Sequence, residues 1–212
     1  MKLRTSLVIQ FGILVASIVV SAYYNQKLPD IVPTHWNFQG QADQHGSKWQ
    51  MLLLGPGMVA TMILLTLVLP RISPKNFEID QFVGTFSYAM VLVSALMFFL
   101  GIICLRATNG TKFDFGRDFM AGLFLFFALI GNVLGKVRRN FYMGIRTPWT
   151  LASERVWDAT HRLAGYFWVA GGLVGAGLAL LGMPLAGSIT LLVILGLWPV
   201  VQSYLLYQKL ER

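Results

Sequence analysis

Charge is what this chain lacks along most of its length. Its 17 Lys and Arg and its 9 Asp and Glu all lie outside six charge-free stretches, which cover 5–24, 51–70, 85–105, 119–135, 163–183 and 185–207. A hydrocarbon core about 30 Å thick is crossed by about 20 helical residues, so each stretch is long enough to span a membrane. A soluble domain with 56% hydrophobic residues in such runs would aggregate, and that class is excluded.

Two further absences narrow the chemistry. Cys104 is the single cysteine, which excludes an intramolecular disulfide and a cysteine metal cluster. No Asp, Glu, Lys, Arg or His lies at the centre of any charge-free stretch. Proton-coupled transporters and intramembrane proteases need such polar groups at depth, so both classes are disfavoured.

Acidic residues are scarce, and the net charge is +8. The basic residues form no run with interleaved aromatics, so we expect no direct nucleic-acid binding. With six spans, twelve Lys and Arg lie on one side of the membrane and five on the other. The sequence therefore predicts an all-α bundle of six transmembrane helices in contact with membrane lipid. Because positive charge concentrates on the cytoplasmic side, both termini are predicted to be cytoplasmic.

The longer of the two predicted outward segments, 25–50, contains two prolines that favour extended backbone just before His35. Residues 37–40 are predicted to form a turn that returns Asp43 toward His35. One interpretation is an outward recognition or ion site. Another is a loop bonded within itself and anchored at the lipid headgroups by its tryptophans. A zinc site that includes His45 lacks a recognised ligand spacing.

The inward segment 136–162 contains a helix start, with Thr147 as N-cap and Pro148 in the first position. We expect one uninterrupted helix from there into the fifth span. Such a helix would place three polar side chains on one face and would pair Asp158 with Arg162. The three are Glu154, Asp158 and His161.

That face has three interpretations. It could bind a metal or move protons. It could dock a cytosolic partner, with help from Arg146 and Arg155. It could also be a helix at the membrane interface, with its charges in water and its indoles among the headgroups. Helices show such spacings routinely, so the spacing does not choose among these.

The two segments carry a resemblance to known families. The outer motif His35-Trp36-Asn37-x-x-Gly40-x-x-Asp43 is similar to that of a bacterial membrane-domain family. The inner motif resembles that of the SdpI family, in which both modules occur in this order. It reads Gly144-Ile145-Arg146-Thr147-Pro148-Trp149-Thr150-Leu151-x-Ser153-x-x-x-Trp157-x-x-x-His161-Arg162-x-x-Gly165. On this resemblance we divide the chain into an N-terminal module, 1–84, and an SdpI-like module, 85–212.

The resemblance implies a multi-pass protein of the bacterial plasma membrane that confers immunity to a secreted toxic peptide of the SdpC type. It also implies signalling, in which the protein holds a cytosolic autorepressor of the SdpR type at the membrane. We therefore expect no enzymatic activity, catalytic residue, cofactor or metal. A transporter or exporter of a small or amphipathic solute is the alternative, followed by a metal-dependent membrane enzyme.

Under this interpretation the chain has one candidate site on each side of the membrane. The outer, ligand-binding set is His35, Trp36, Asn37, Gly40 and Asp43. The inner, partner-binding set is Arg146, Thr147, Pro148, Trp149, Glu154, Trp157, Asp158, His161 and Arg162.

Overall fold

The computed structural model describes residues 1–36, 42–75, 77–109 and 114–212. Its helices are α1 (Leu3–Asn25), α2 (Lys48–Ile72), α3 (Val83–Thr108), α4 (Phe115–Leu134), α5 (Pro148–Ala152), α6 (Glu154–Leu180) and α7 (Leu185–Glu211). A short 3-10 helix, Ile79–Phe82, precedes α3, and an antiparallel hairpin of β1 (Ile31–Trp36) and β2 (Ala42–Ser47) lies between α1 and α2. Within the described ranges, six helices are long and apolar enough to cross a membrane, which confirms the predicted bundle.

Side-chain caps set several of the helix boundaries. Ser47 accepts a hydrogen bond from the backbone of Trp49 at the start of α2, and Asp114 accepts one from Arg117 at the start of α4. α6 ends before Gly182, whose φ of +92° lets the chain turn directly into α7. The connection between the last two spans is therefore short.

The membrane-spanning helices pack in two groups of three. α1, α2 and α3 pack against one another, whereas α4 packs most extensively against α6 and α6 also packs against α7. Glycines let α4 and α6 approach closely, because a Cβ on Gly165 would lie 2.8 Å from the carbonyl oxygen of Gly131. Gly171 and Gly175 of α6 contact different helices, since Gly171 faces α7 and Gly175 faces α4.

A buried polar group joins the first three spans. Gln10 of α1 is fully buried, and its Oε1 accepts hydrogen bonds from Thr66 of α2 at 3.1 Å and Ser94 of α3 at 3.3 Å. Its Nε2 has no partner among the residues that the structure describes. This contact could not be predicted from the sequence, because each of its members is an isolated polar residue in an apolar stretch.

Both termini lie at one end of the bundle, together with the segment between α4 and α6. Three hydrogen bonds bring these parts together: the N-terminus to Gly84 O, Tyr142 Oη to Ile72 O, and Ser153 Oγ to Glu211 Oε1. We call this the inner end, after the side that the charge distribution predicts for it, and the end that carries the hairpin the outer end. That the inner end faces the cytoplasm stays a prediction.

Candidate functional sites at the two ends of the bundle

The outer hairpin is attached to the bundle through β1 and the start of α2. Val32 of β1 is fully buried and packs with Leu28, Met51 and Leu52. The backbone of Lys48 donates to Asp30 O at 2.9 Å, and the Lys48 ammonium lies 3.0 Å from the Asp30 carboxylate. One face of the hairpin is thereby fixed to α2, while the residues of β2 are mostly exposed.

His35 and Asp43 meet across the hairpin, as the sequence predicts. Nδ1 of His35 lies 2.6 Å from Oδ1 of Asp43, and both side chains are exposed, by 58% and 42%. The hairpin register shifts on both sides of His35, which places the two side chains together although His35 is aligned with Gln44. The result is a polar pair that an external ligand can reach.

The structure describes only one of the three other outer candidates. Trp36 ends β1, whereas Asn37 and Gly40 lie outside the described residues. Among the residues described, no group of three or more His, Cys, Asp or Glu side chains lies close enough to hold a metal ion.

The inner segment begins its helix where the sequence predicts. Thr147 accepts a hydrogen bond from the backbone of Thr150 at 3.2 Å, and the Thr150 hydroxyl accepts from the backbone of Thr147 at 3.0 Å. This reciprocal pair is a capping box, with Pro148 in the first turn. The Thr147 hydroxyl also lies 2.9 Å from that of Ser203, which ties the start of α5 to α7.

The expected uninterrupted helix into the fifth span is wrong. Ser153 has extended backbone, with φ −135° and ψ 127°, and it separates α5 from α6. Its hydroxyl accepts from the backbone of Val156 at 3.2 Å and donates to Glu211 at 2.7 Å. Ser153 therefore caps a new helix, because its side chain competes with continuation of the α5 backbone bonds.

The predicted polar face of Glu154, Asp158 and His161 is also wrong. Glu154 is exposed and Asp158 partly exposed, but His161 is fully buried. Its Nε2 accepts from the backbone of Ile145 at 2.9 Å, and its ring stacks on Trp157 with centroids 4.0 Å apart. Since His161 points into the core, these three side chains do not form the metal or proton site considered above.

The expected ion pair between Asp158 and Arg162 is replaced by one across the segment. The carboxylate of Asp158 lies 3.8 Å from the guanidinium of Arg138, which follows α4. Both side chains are about half exposed, so the pair contributes little to stability.

Sequence reasoning missed the turn that shapes this segment. The Asn140 side chain is buried, accepts from the backbones of Tyr142 and Met143 at 2.7 and 2.8 Å, and donates to two carbonyl oxygens. Gly144 follows with a φ of +105°, and a Cβ there would collide with Nε2 of His161. Asn and Gly are both typical turn residues, so the sequence does contain a turn signal in Asn140 and Gly144.

The inner candidates therefore divide into buried and accessible residues. Thr147, Trp157 and His161 are buried, and Nε1 of Trp157 donates to Val137 O at 2.7 Å. Trp149 and Asp158 are partly exposed. The exposed candidates are Arg146, Pro148, Glu154 and Arg162.

Comparisons with known proteins find similarity to two families and to a named relative. The model of the SdpI/YfhL protein family matches residues 136–203, and that of a domain of unknown function (DUF1648) matches residues 12–60. The chain is 24% identical to the Immunity protein SdpI of Bacillus subtilis (strain 168) over 210 residues, which is 96% of this chain and 97% of that protein. No solved structure matches it. The chain is thus similar to the SdpI family over its C-terminal part and to an immunity protein along nearly its whole length, and its described residues include six helices able to span a membrane.

Proposed function

We propose that this chain is an immunity protein of the bacterial plasma membrane that protects its host against a secreted toxic peptide. The observation that carries the proposal is its similarity, along 96% of its length, to an immunity protein. Because that relative is an immunity protein, the proposal includes no catalytic step.

The outer hairpin is the proposed contact with the peptide. His35 and Asp43 present an imidazole and a carboxylate at an accessible position, and the hairpin is fixed to α2 by buried Val32. Trp36, Asn37 and Gly40 of the same motif complete the proposed ligand-binding set. A fixed support with exposed polar groups favours recognition because little ordering is needed on binding.

The inner end is the proposed site for a cytosolic autorepressor. The partner would contact exposed Arg146, Pro148, Glu154 and Arg162, together with partly exposed Trp149 and Asp158. Buried Thr147, Trp157 and His161 would hold this surface in shape without touching the partner. Regulation then requires that the surface respond to events at the outer end.

Helix α2 offers a direct physical connection between the two ends. Its first turn packs against the hairpin through Met51 and Leu52, and the carbonyl oxygen of Ile72, its last residue, accepts from Tyr142 Oη at 2.9 Å. A shift of α2 caused by peptide binding would therefore move Ile72 and displace the inner segment that is bonded to it through Tyr142. As a proposal, the peptide stabilises one of two α2 positions, and the autorepressor binds that one better.

Protection is tested by expressing the chain in a bacterium that is sensitive to an SdpC-type peptide. We expect growth at peptide concentrations that kill cells carrying the empty vector. His35→Ala and Asp43→Ala should lose protection at equal amounts of protein in the membrane, whereas His45→Ala, an exposed histidine on the same hairpin, should keep it. Unchanged killing of cells with the native chain would remove the immunity proposal.

Localisation and orientation are tested with fused reporters. A reporter after Arg139 should be active inside the cell and one after Lys112 outside it. Two reporters on the same side would contradict the proposed orientation and thereby the assignment of the two sites.

A further inference from the structure

A cavity lies at the inner end, between the end of α4 and the first turns of α6. Its volume is about 340 Å³, and it is lined by Gly135, Lys136, Arg138, Asp158 and Arg162. At Gly135 the two helices come close, because a Cβ there would lie 3.4 Å from the Cα of Arg162. The cavity is therefore bounded by backbone on one side and by charged side chains on the others.

The charges around this cavity favour an anion. Three cationic side chains face it with one carboxylate, and that carboxylate lies 3.8 Å from Arg138, beyond hydrogen-bond distance. Over the described part of the chain, neither Lys136 nor Arg162 forms an ion pair. The C-terminal end of α4 adds roughly half a negative charge, which leaves the cavity positive.

An apolar surface continues from the cavity toward the membrane. Lys136 and Arg162 are the first charged residues beyond two of the charge-free stretches, so the cavity lies where the apolar part of the bundle ends. Leu163 is 38% exposed and Tyr166 is 72% exposed. Tyr166 follows Arg162 by one helical turn on the same side of α6, and tyrosine is typical of the headgroup level.

We propose that this cavity binds the phosphate group of an anionic membrane lipid, whose acyl chains lie against the exposed side of α6. Arg162 and Arg138 suit a phosphate because a guanidinium can donate two parallel hydrogen bonds, and Lys136 adds a mobile point charge. Free phosphate would present the same oxygens to the cavity, but it would leave Leu163 and Tyr166 uncovered. The proposal does not depend on immunity or on a repressor.

The test uses the purified full chain in a neutral detergent. Phosphatidylglycerol, phosphatidylcholine or inorganic phosphate is titrated while the melting temperature is followed, and bound lipid is counted by native mass spectrometry. We expect phosphatidylglycerol to raise the melting temperature and to remain bound, and the other two to do neither. An equal effect of phosphatidylcholine, or no effect of phosphatidylglycerol, would refute the anion site. An equal effect of inorganic phosphate would refute the lipid assignment.

Variants locate the binding. Lys136→Gln and Arg162→Gln should each weaken the affinity for phosphatidylglycerol about fivefold, the usual effect of one basic residue near an anionic membrane surface. Lys75→Gln and Arg4→Gln remove exposed charges elsewhere on the chain and should leave the affinity unchanged. Equal losses in both pairs would show attraction to net charge only and would overturn the cavity as the site.

A variant with higher affinity for phosphatidylglycerol distinguishes a direct effect on lipid binding from a damaged fold. Asp158→Asn removes the one carboxylate of the cavity and should strengthen phosphatidylglycerol binding by about fivefold. A damaged fold would weaken binding instead. Unchanged or weaker binding by a variant with the native melting temperature in the absence of lipid would contradict the proposal.

Discussion

Nε2 of His161 accepts a hydrogen bond from the backbone nitrogen of Ile145 across a distance of 2.9 Å. Nδ1 of the same ring lies 2.8 Å from the carbonyl oxygen of Trp157, to which it donates. Both ring nitrogens are thus satisfied in one tautomer of the neutral ring, with no water needed. A histidine held in this way fixes the position of the inner segment against α6.

Replacing His161 by alanine should therefore destabilise the protein. The substitution leaves the buried Ile145 N–H without its partner and opens space beside the Trp157 ring. We expect the free energy of unfolding to fall by about 2–4 kcal/mol. Thermal unfolding in detergent measures the loss, and Glu154→Ala, an exposed change in the same helix, should shift stability by less than about 0.5 kcal/mol. Similar melting temperatures for the two variants would contradict the role of His161.

Gly144 allows a comparison between backbone strain and steric collision. Gly144→Ala places a Cβ at a φ of +105° and against Nε2 of His161, whereas Gly182→Ala meets a φ of +92° with nothing within 4 Å. Strain at either position costs about 1–2 kcal/mol, and Gly144→Ala should cost more because the ring must move. Melting temperatures of both variants test this, with Gly177→Ala as a helical control. Equal losses at 144 and 182 would show that the ring yields freely.

The features that the sequence predicts correctly at the two sites are local. Thr147 and Pro148 specify a helix start within four residues of chain, and His35 and Asp43 meet across a single hairpin. Charge-free length alone identifies the spans, because lipid requires helices of a definite length. Such signals need no knowledge of what lies elsewhere in the fold.

The errors arise where a distant residue decides the outcome. The helix break at Ser153 involves Glu211 at the far end of the chain. The spacing of His161 along α6 is that of a surface residue. It is buried because the segment that contains Ile145 packs against it, and Ile145 N–H donates to its ring. No pattern within one span could reveal that Gln10 receives hydrogen bonds from two other helices.

We expect the Gln10 amide to contribute little to the free energy of unfolding despite its hydrogen bonds. The single hydroxyl proton of Thr66 and of Ser94 can instead be donated to a carbonyl oxygen of its own helix, at 2.7 and 2.9 Å, so both keep a partner without Gln10. Gln10→Leu keeps most of the volume and removes the unpartnered Nε2, so we expect a change within about 1 kcal/mol. Gln10→Ala should instead cost about 2 kcal/mol or more, because it leaves a cavity. A large loss in the leucine variant would show that the amide is needed.

Substitution of Tyr142 tests whether α2 couples peptide binding at the outer end to the inner segment. Tyr142→Phe removes the hydrogen bond to Ile72 O but keeps the ring, so stability should change by less than about 1 kcal/mol. If the peptide acts through α2, this variant should still protect cells, while peptide-induced release of a repressor-controlled reporter falls. Protection and reporter output are measured in the same cells, and Tyr207→Phe, for which the described residues offer no hydrogen bond, is the control. A reporter response equal to that of the native chain would exclude this contact from the coupling, since two sites are linked only through groups whose interactions differ between the two states.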